Sequence, residues 1–226
     1  MTAATTKAYR GIGMEGPVAR WYAKSTRKDM ERFRALAARL RAERPQGGDV
    51  LEVAPGPGYV AIEMAKGGAY RVTGLDISRT MVELARQNAA EAAVEADFRR
   101  GDASAMPFAG DSFDLLTCSA AFKNFSEPRK ALEEMYRVLR PGGTALIVDL
   151  HKDVPMSEIR KYFADLGLGT VERWMTVAAF RFMLLKRAYT RAEFEQLLTD
   201  IPFREKEIRL ADGVGLELWL RKSSCA

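Results

Sequence analysis

The apolar residues of this chain follow two spacings, and the change from one to the other separates a helical start from an alternating region. Within residues 17–43, apolar side chains such as Met30, Phe33 and Leu36 recur three and four positions apart, which predicts helix. From residue 48 onward, short apolar strands alternate with helical segments. Such alternation is typical of right-handed βαβ crossovers and therefore of a parallel sheet covered by helices.

The alternating region contains five predicted strands, which are DVLEV, RVTGLDI, ADFRRGD, FDLLTCSA and TALIVDL. Helical patterns lie between most of them, and RPGG (140–143) is predicted to stop the last helix before the final strand. The chain then changes character. SEIRKYFADLG is predicted to be a helix, and residues 171–188 form a more apolar segment that is rich in methionine and aromatic side chains.

Two further signals complete the predicted fold. Thr190 and Glu193 have the spacing of a capping box at a helix start. Asp212–Gly213 separates two strand patterns, which predicts a hairpin. We therefore expect an α/β fold, a Rossmann-like and mostly parallel sheet with an antiparallel C-terminal strand pair and helices on both faces.

Composition narrows the possible classes of function. The two cysteines, Cys118 and Cys225, form neither a disulfide framework nor a metal cluster, so a cytoplasmic location is expected. Cys118 is expected in the core. With His151 as the only histidine, we expect no metal site of the usual Cys/His kind. No apolar run approaches the roughly 20 residues that span a bilayer, and the first residues lack the core of a signal peptide.

The net charge of +5 is unevenly distributed, because residues 1–44 contain 11 basic and 4 acidic residues. The simplest interpretation is a solvated helix face, and the alternative is attraction to an anionic substrate, a nucleic acid or a membrane. No nucleic-acid motif occurs, and aromatic residues do not interleave with the charges as an RNA platform requires. Nucleic acid is therefore not an expected partner.

The segment LEVAPGPG carries the clearest chemical signal. Gly56, Gly58 and Ala61 match the G-x-G-x-x-A pattern of dinucleotide-binding turns. Each proline of the segment removes a backbone N–H, whereas a pyrophosphate needs convergent N–H groups. Glu52 would also repel a pyrophosphate and suit a cation. S-adenosylmethionine has a sulfonium and an ammonium group and no phosphate, so it fits this turn better than a nicotinamide dinucleotide does.

The same segment resembles the first motif of class I S-adenosylmethionine-dependent methyltransferases, with Ala54 at the position of that family's first glycine. Asp76 ends the second strand, 20 residues after Gly56. The resemblance implies that Asp76 holds the ribose hydroxyls and that Ile77 packs on the adenine.

Two later segments extend the resemblance over residues 48–150. GDASAMPF is similar to the third motif, which implies that Asp102 accepts from the adenine amino group and that the backbone of Ala103 contacts the ring. Residues 113–143 are similar to the fourth block. The amino-acid sequence of this block resembles the ubiquinone/menaquinone methyltransferase branch most. That branch also includes many other small-molecule methylases.

The resemblance, together with the positions at the carboxyl ends of the strands, gives two sets of candidate site residues; the family itself has no fixed catalytic residue. The expected cofactor-binding residues are Tyr22, Glu52, Ala54, Gly56, Gly58, Asp76, Ile77, Met81, Asp102, Ala103 and Ser119. The expected catalytic residues are His151 as a base, and Asn124 and Lys123 as orienting groups.

Simpler interpretations stay open for several of these residues. Glu52 could cap the turn, Lys123 and Asn124 could start the next helix, Tyr22 could belong to the core and His151 could be structural. Phe122 is equally compatible with the core and with the site. The apolar segment 171–188 could be core, an interface, a membrane-surface helix or a cap that lines an apolar acceptor pocket.

Within one domain, the resemblance implies a helical lid region at 1–44, a cofactor-binding core at 45–150 and a cap with the C-terminal hairpin at 151–226. The expected function is methyl transfer to a small apolar or aromatic molecule, on O, N, C or S. The alternatives are an RNA or protein methyltransferase and a protein that binds S-adenosylmethionine without methylating. A homodimer is an open expectation.

Overall fold

The computed structural model describes residues 9–10, 13–164, 169–211 and 213–224. Its helices are α1 (Gly16–Thr26), α2 (Met30–Glu43), α3 (Tyr59–Ala65), α4 (Arg79–Glu91), α5 (Pro128–Val138), α6 (Met156–Tyr162), α7 (Thr170–Ala179) and α8 (Arg191–Leu197). Its strands are β1 (Gly48–Val53), β2 (Tyr70–Asp76), β3 (Asp97–Arg100), β4 (Phe113–Ser119), β5 (Leu139–Leu150), β6 (Glu205–Ala211) and β7 (Gly215–Arg221).

The seven strands form one sheet in the order β3-β2-β1-β4-β5-β7-β6. The strands β1 to β5 are parallel, whereas β7 runs antiparallel to both β5 and β6. The chain order reverses between β1 and β4, so the carboxyl ends of these strands form the crevice in which open α/β sheets bind ligands. The predicted fold class is confirmed.

Each face of the sheet is covered by its own apolar core. On one face Leu132 and Met135 of α5 and Phe194 of α8 pack on the sheet. On the other face Leu40 and Met64, from α2 and α3, are part of the second core. Both faces of the central strands are therefore apolar, which explains their nearly continuous hydrophobic runs. The buried Cys118 confirms its expected place in the core.

The N-terminal helical pattern is divided in two by a 3₁₀ turn at Arg27–Asp29. The hydroxyl groups of Ser25 and Thr26 both donate to the carbonyl of Tyr22 at 2.9 Å. Hydroxyl groups that bond locally to the backbone compete with the helical ladder and favour helix ends. The periodicity of apolar residues does not register this interruption.

Two other boundaries differ from the sequence pattern. Leu139 already pairs with Phe113, so RPGG lies inside β5 rather than at the end of α5. A register shift follows Phe113 and accommodates the glycines. The segment after α7 widens into a π turn at Phe180–Leu184 and then tightens into a 3₁₀ turn at Leu185–Arg187.

The C-terminal signals agree with the structure. Thr190 and Glu193 form the predicted capping box of α8. The strands β6 and β7 form the predicted antiparallel pair, although Asp212 lies outside the described residues. Among the helices that the structure describes, none combines the length and the apolar character needed to cross a membrane.

Candidate active site

The bend after β1 requires backbone conformations that side chains disfavour. Gly56 and Gly58 have φ values of 54° and 79°. A Cβ atom on Gly58 would lie 2.9 Å from the ring of Phe98, so the glycine also allows close packing. Ala54 has a φ of 55° and thus occupies the left-handed region at the position where the related motif has glycine.

The N–H groups of this bend are largely used inside the protein. Gly56 donates to Oδ2 of Asp76 at 3.0 Å, and Gly58 donates to the carbonyl of Pro55 at 3.0 Å. Because the prolines contribute no N–H, the bend lacks the convergent free donors of a phosphate cradle. This arrangement supports the argument from the sequence against a pyrophosphate.

Two buried carboxyl groups, those of Glu52 and Asp76, lie beside the bend. Glu52 is 3% exposed and accepts the Ala61 N–H at 2.7 Å, and Asp76 is 7% exposed. Burial raises the pKa of Glu52 to about 8 and that of Asp76 to about 6. Within the described residues neither group has an ion-pair partner closer than 4.0 Å, so the site suits a cation with hydrogen-bond donors, such as S-adenosylmethionine.

The first helix closes over the carboxyl end of the sheet. Both carboxylate oxygens of Glu15, just before α1, accept N–H groups at the start of α4, from Arg79 at 2.9 Å and Thr80 at 3.0 Å. Further along α1, the half-buried ring of Tyr22 reaches 4.0 Å from the position that a Cβ on Gly56 would occupy. Tyr22 is therefore next to the bend, as its predicted role requires.

The residues predicted to surround the adenine end lie along β2 and β3. Asp102 and Ala103 follow β3, which pairs with β2, so they share the sheet edge with Ile77. Oδ1 of Asp102 accepts the N–H of Ser104 at 2.8 Å. Met81 is 2% exposed within α4, and its N–H donates to the N-cap Ser78. These positions share one edge, and their cofactor contacts stay predictions.

The predicted catalytic Lys123 lies in a buried ion pair. Ser119 ends β4, and a 3₁₀ turn at Phe122–Asn124 follows it. The Lys123 ammonium lies 2.8 Å from Oδ1 of Asp149, and its backbone N–H donates to Oδ2 at 2.8 Å. The turn is thus separate from α5. The alternative in which Lys123 begins the next helix is therefore wrong.

Asn124 and His151 lie on neighbouring segments of the same edge. Both residues are half-buried. The carbonyl of Asn124 accepts the N–H of Arg10 at 2.7 Å. His151 follows β5 directly, and its backbone N–H donates to the carbonyl of Val214 at 3.0 Å. Phe122 is fully buried and belongs to the core, although it borders this turn.

Two features of this edge were missed by sequence reasoning. Asp149 holds the turn after β4. The sequence feature that could have identified it is an acidic residue at the carboxyl end of a predicted parallel strand. Tyr9 pairs with Phe125 and Arg10 bonds to Asn124, so the first described residues cover the turn. No sequence pattern indicated that contact. Among the described residues no cluster of three or more His, Cys, Asp or Glu side chains could hold a metal.

Comparison with known proteins adds independent information. Residues 51–147 match the family model described as a methyltransferase domain. The 2-phytyl-1,4-naphtoquinone methyltransferase of Synechococcus elongatus is 30% identical over 192 residues, which are 82% of this chain and 77% of the relative. The demethylmenaquinone methyltransferase of Deinococcus radiodurans is 38% identical over 117 residues, but this match spans only 51% of this chain and 48% of the relative.

A solved structure supports the fold. The structure of a SAM-dependent methyltransferase from Aquifex aeolicus superimposes with a TM-score of 0.61 at 19% identity. The superposition covers 85% of this chain and 97% of the other. At this identity the similarity concerns the architecture of the sheet and its helices.

Proposed function

The chain belongs to the family of S-adenosylmethionine-dependent methyltransferases, with that compound as its cofactor, and we propose that it methylates a small apolar or aromatic acceptor. The cofactor supplies an activated methyl group on a sulfonium. One observation carries the proposal, namely the buried and uncompensated carboxyl groups of Glu52 and Asp76 beside the bend. A cationic methyl donor stabilises the ionised forms of these two acids, which burial otherwise disfavours.

The residues around the bend have assigned roles in this proposal. Asp76 binds the ribose hydroxyls, since an ionised carboxylate can accept several hydrogen bonds and its Gly56 and Ser78 contacts leave acceptor capacity. Tyr22 covers the methionine end, and Asp102 with Ala103 binds the adenine. Ala54, Gly58, Ile77, Met81 and Ser119 complete the cofactor site.

On the acceptor side, the protein has to orient the acceptor and exclude water, because the methyl group of the cofactor is already activated. Holding two reactants in line can lower a barrier by roughly 7–11 kcal/mol. Asn124 orients the acceptor, and Lys123 acts as a positioning residue because its ammonium is already bound to Asp149. His151 takes up the acceptor's proton where the acceptor must lose one.

The proposal includes the remaining expectations from the sequence. The regions 1–44 and 151–226 act as lid and cap around the 45–150 core. The names of relatives that act on naphthoquinone-type rings support a bicyclic aromatic acceptor. The cytoplasmic location and the homodimer are likewise part of the proposal.

The test is transfer of tritium from methyl-labelled S-adenosylmethionine to a panel of naphthols, phenols, amines and reduced quinones. We expect label in the organic extract together with one S-adenosylhomocysteine per methyl transferred. Binding of the cofactor without release of S-adenosylhomocysteine in any assay would contradict the proposal and indicate a non-methylating protein. Transfer of label to RNA or protein alone would also contradict it.

A further inference from the structure

A basic cavity of about 500 Å³ opens beside the carboxyl end of β5. Its walls include Arg10, Lys152, Lys186, Arg187, Tyr189 and Glu193. The cavity is partly open to solvent and is therefore a surface cleft. Four of these six side chains are cationic and one is acidic, which is an unusual balance for a cavity in a protein whose overall net charge is only +5.

The single acid does not neutralise the cavity. Oε1 of Glu193 lies 2.6 Å from the Lys152 ammonium, and Oε2 accepts the Thr190 N–H at 2.7 Å. This carboxylate is thus used by one lysine and by the start of α8. Within the described part of the chain, Arg10, Lys186 and Arg187 form no ion pair with an acid.

One residue of the cavity wall, Tyr189, has a buried side chain end. The hydroxyl of Tyr189 is buried and has no hydrogen-bond partner among the described residues. Burial raises the pKa of this hydroxyl, and the positive charge of Arg10 opposes the rise. Because this hydroxyl has no accessible surface, the excess positive charge of the cavity alone indicates an anionic ligand.

The cavity adjoins the acceptor side of the candidate active site. The Lys152 N–H donates to the carbonyl of Tyr189 at 3.1 Å, directly after His151. The Tyr189 ring packs against Phe122, with the ring centroids 5.7 Å apart. Arg10, on another wall, donates to the carbonyl of Asn124. The cavity is therefore bounded by the segments that carry both predicted acceptor-side residues, Asn124 and His151.

We infer that this cavity binds an anionic group of the methyl acceptor, so that the acceptor is an aromatic molecule bearing a carboxylate or a phosphate. Phe182, which also lines the cavity, supplies an apolar wall for the ring. The inference rests on the proposed function because it assumes an acceptor at this edge. The proposed function defines the acceptor only by its apolar ring, and this inference adds a negatively charged group to that definition.

The test compares two ligands that differ only in the anionic group. Binding of 1-hydroxy-2-naphthoate and of 1-naphthol is measured by calorimetry on the full chain saturated with S-adenosylhomocysteine. We expect the carboxylate to bind at least ten-fold more tightly. Inorganic phosphate at millimolar concentration should compete with the naphthoate and leave naphthol binding unchanged.

A matched pair of variants locates the effect. The double variant Lys186→Gln/Arg187→Gln removes two exposed cations from the cavity, and Arg160→Gln/Lys161→Gln removes two exposed cations from α6. We expect the first to reduce the preference for the carboxylate five-fold or more and the second to leave it unchanged. Because all four side chains are exposed, both variants should fold.

Three results would overturn the inference. The first is equal affinities for the two ligands, and the second is equal effects of the two double variants. The third is a cavity variant that loses affinity for S-adenosylhomocysteine rather than for the naphthoate. The last result would assign the cations to the carboxylate of the cofactor. A lack of methyl transfer to any acceptor concerns only the proposed function, since the binding measurement does not depend on turnover.

Discussion

The ammonium nitrogen of Lys123 lies 2.8 Å from Oδ1 of Asp149, and both side chains are buried. The same carboxylate accepts the backbone N–H groups of Lys123 and Leu150 at 2.8 Å. One acid thus holds the turn after β4 and the end of β5 together. Because this turn carries Asn124, the ion pair determines the shape of the acceptor side.

Removing the lysine from this pair should destabilise the protein strongly. A buried charge left without its partner costs about 3–5 kcal/mol. We therefore expect Lys123→Met to lower the free energy of unfolding in urea by this amount. The double variant Lys123→Met/Asp149→Asn should recover most of the loss, since the amide oxygen still accepts a backbone N–H and carries no charge. A loss below about 1 kcal/mol would contradict the assignment.

The buried carboxyl group of Glu52 should make stability depend on pH. Burial raises its pKa to about 8 from the usual 4.5, so the folded protein binds more protons than the unfolded chain between these pH values. The free energy of unfolding of the cofactor-free protein should fall as pH rises from 4.5 to 8, by at most about 1.4 kcal/mol per pH unit. Asp76 should add a smaller contribution between pH 3.8 and 6.

The variant Glu52→Gln tests this pH dependence. Its amide oxygen can still accept the Ala61 N–H, but the residue no longer titrates. Denaturation at several pH values should show a flatter profile than that of the original protein between pH 5 and 8. The original protein should also release protons when it binds S-adenosylmethionine at pH 7, which calorimetry in two buffers detects. An unchanged profile would show that Glu52 does not titrate there.

The substitution Asp76→Asn should weaken binding of S-adenosylhomocysteine at least ten-fold, because it replaces one of two acceptor oxygens with a donor. Calorimetry measures the affinity, and circular dichroism checks the fold. Asp97→Asn, at an exposed aspartate on the neighbouring β3 that pairs with Arg99, is the matched control and should bind normally. Equal affinities for the two variants would remove Asp76 from the proposed ribose site.

The left-handed backbone at Ala54 should determine how stable the protein is with glycine, alanine or valine at this position. This conformation costs a residue with a Cβ about 1–2 kcal/mol, whereas glycine in the same place loses about 0.5–1 kcal/mol of chain entropy. Ala54→Gly should therefore leave the free energy of unfolding equal or raise it by up to about 1.5 kcal/mol. Ala54→Val should lower it by about 2 kcal/mol or more, because a β-branched side chain fits this region poorly. Urea denaturation of both variants measures the order, and a stable valine variant would contradict it.

The order of elements and the cofactor motifs could be predicted because they depend on neighbours in the sequence. The bend and Asp102 follow strands, Asp76 ends one, and parallel strands bring their carboxyl ends to one edge. Helix ends were less predictable. The hydroxyl bonds of Ser25 and Thr26 that divide the N-terminal helical pattern are local, but they leave the spacing of apolar residues unchanged.

The acceptor side could not be predicted to the same depth. Lys123 and Asp149 are 26 residues apart, and they meet because β4 and β5 pair with Ser119 opposite Val148. The contact of Arg10 with Asn124 spans an even longer separation. Such pairs depend on strand register and on where a terminal segment lies, and neither is visible in the pattern of side chains along the chain.

The amino-acid sequence alone determined the α/β architecture, the glycine–proline bend and the acids that suit a sulfonium cofactor. These follow from hydrophobic period and backbone chemistry, which act between near neighbours. Only the tertiary structure decided that Lys123 is bound by Asp149, and that four cations line one cavity. These charged groups come from segments that are distant in sequence. They lie close together only in the folded chain, so the sequence pattern could not show the acceptor side.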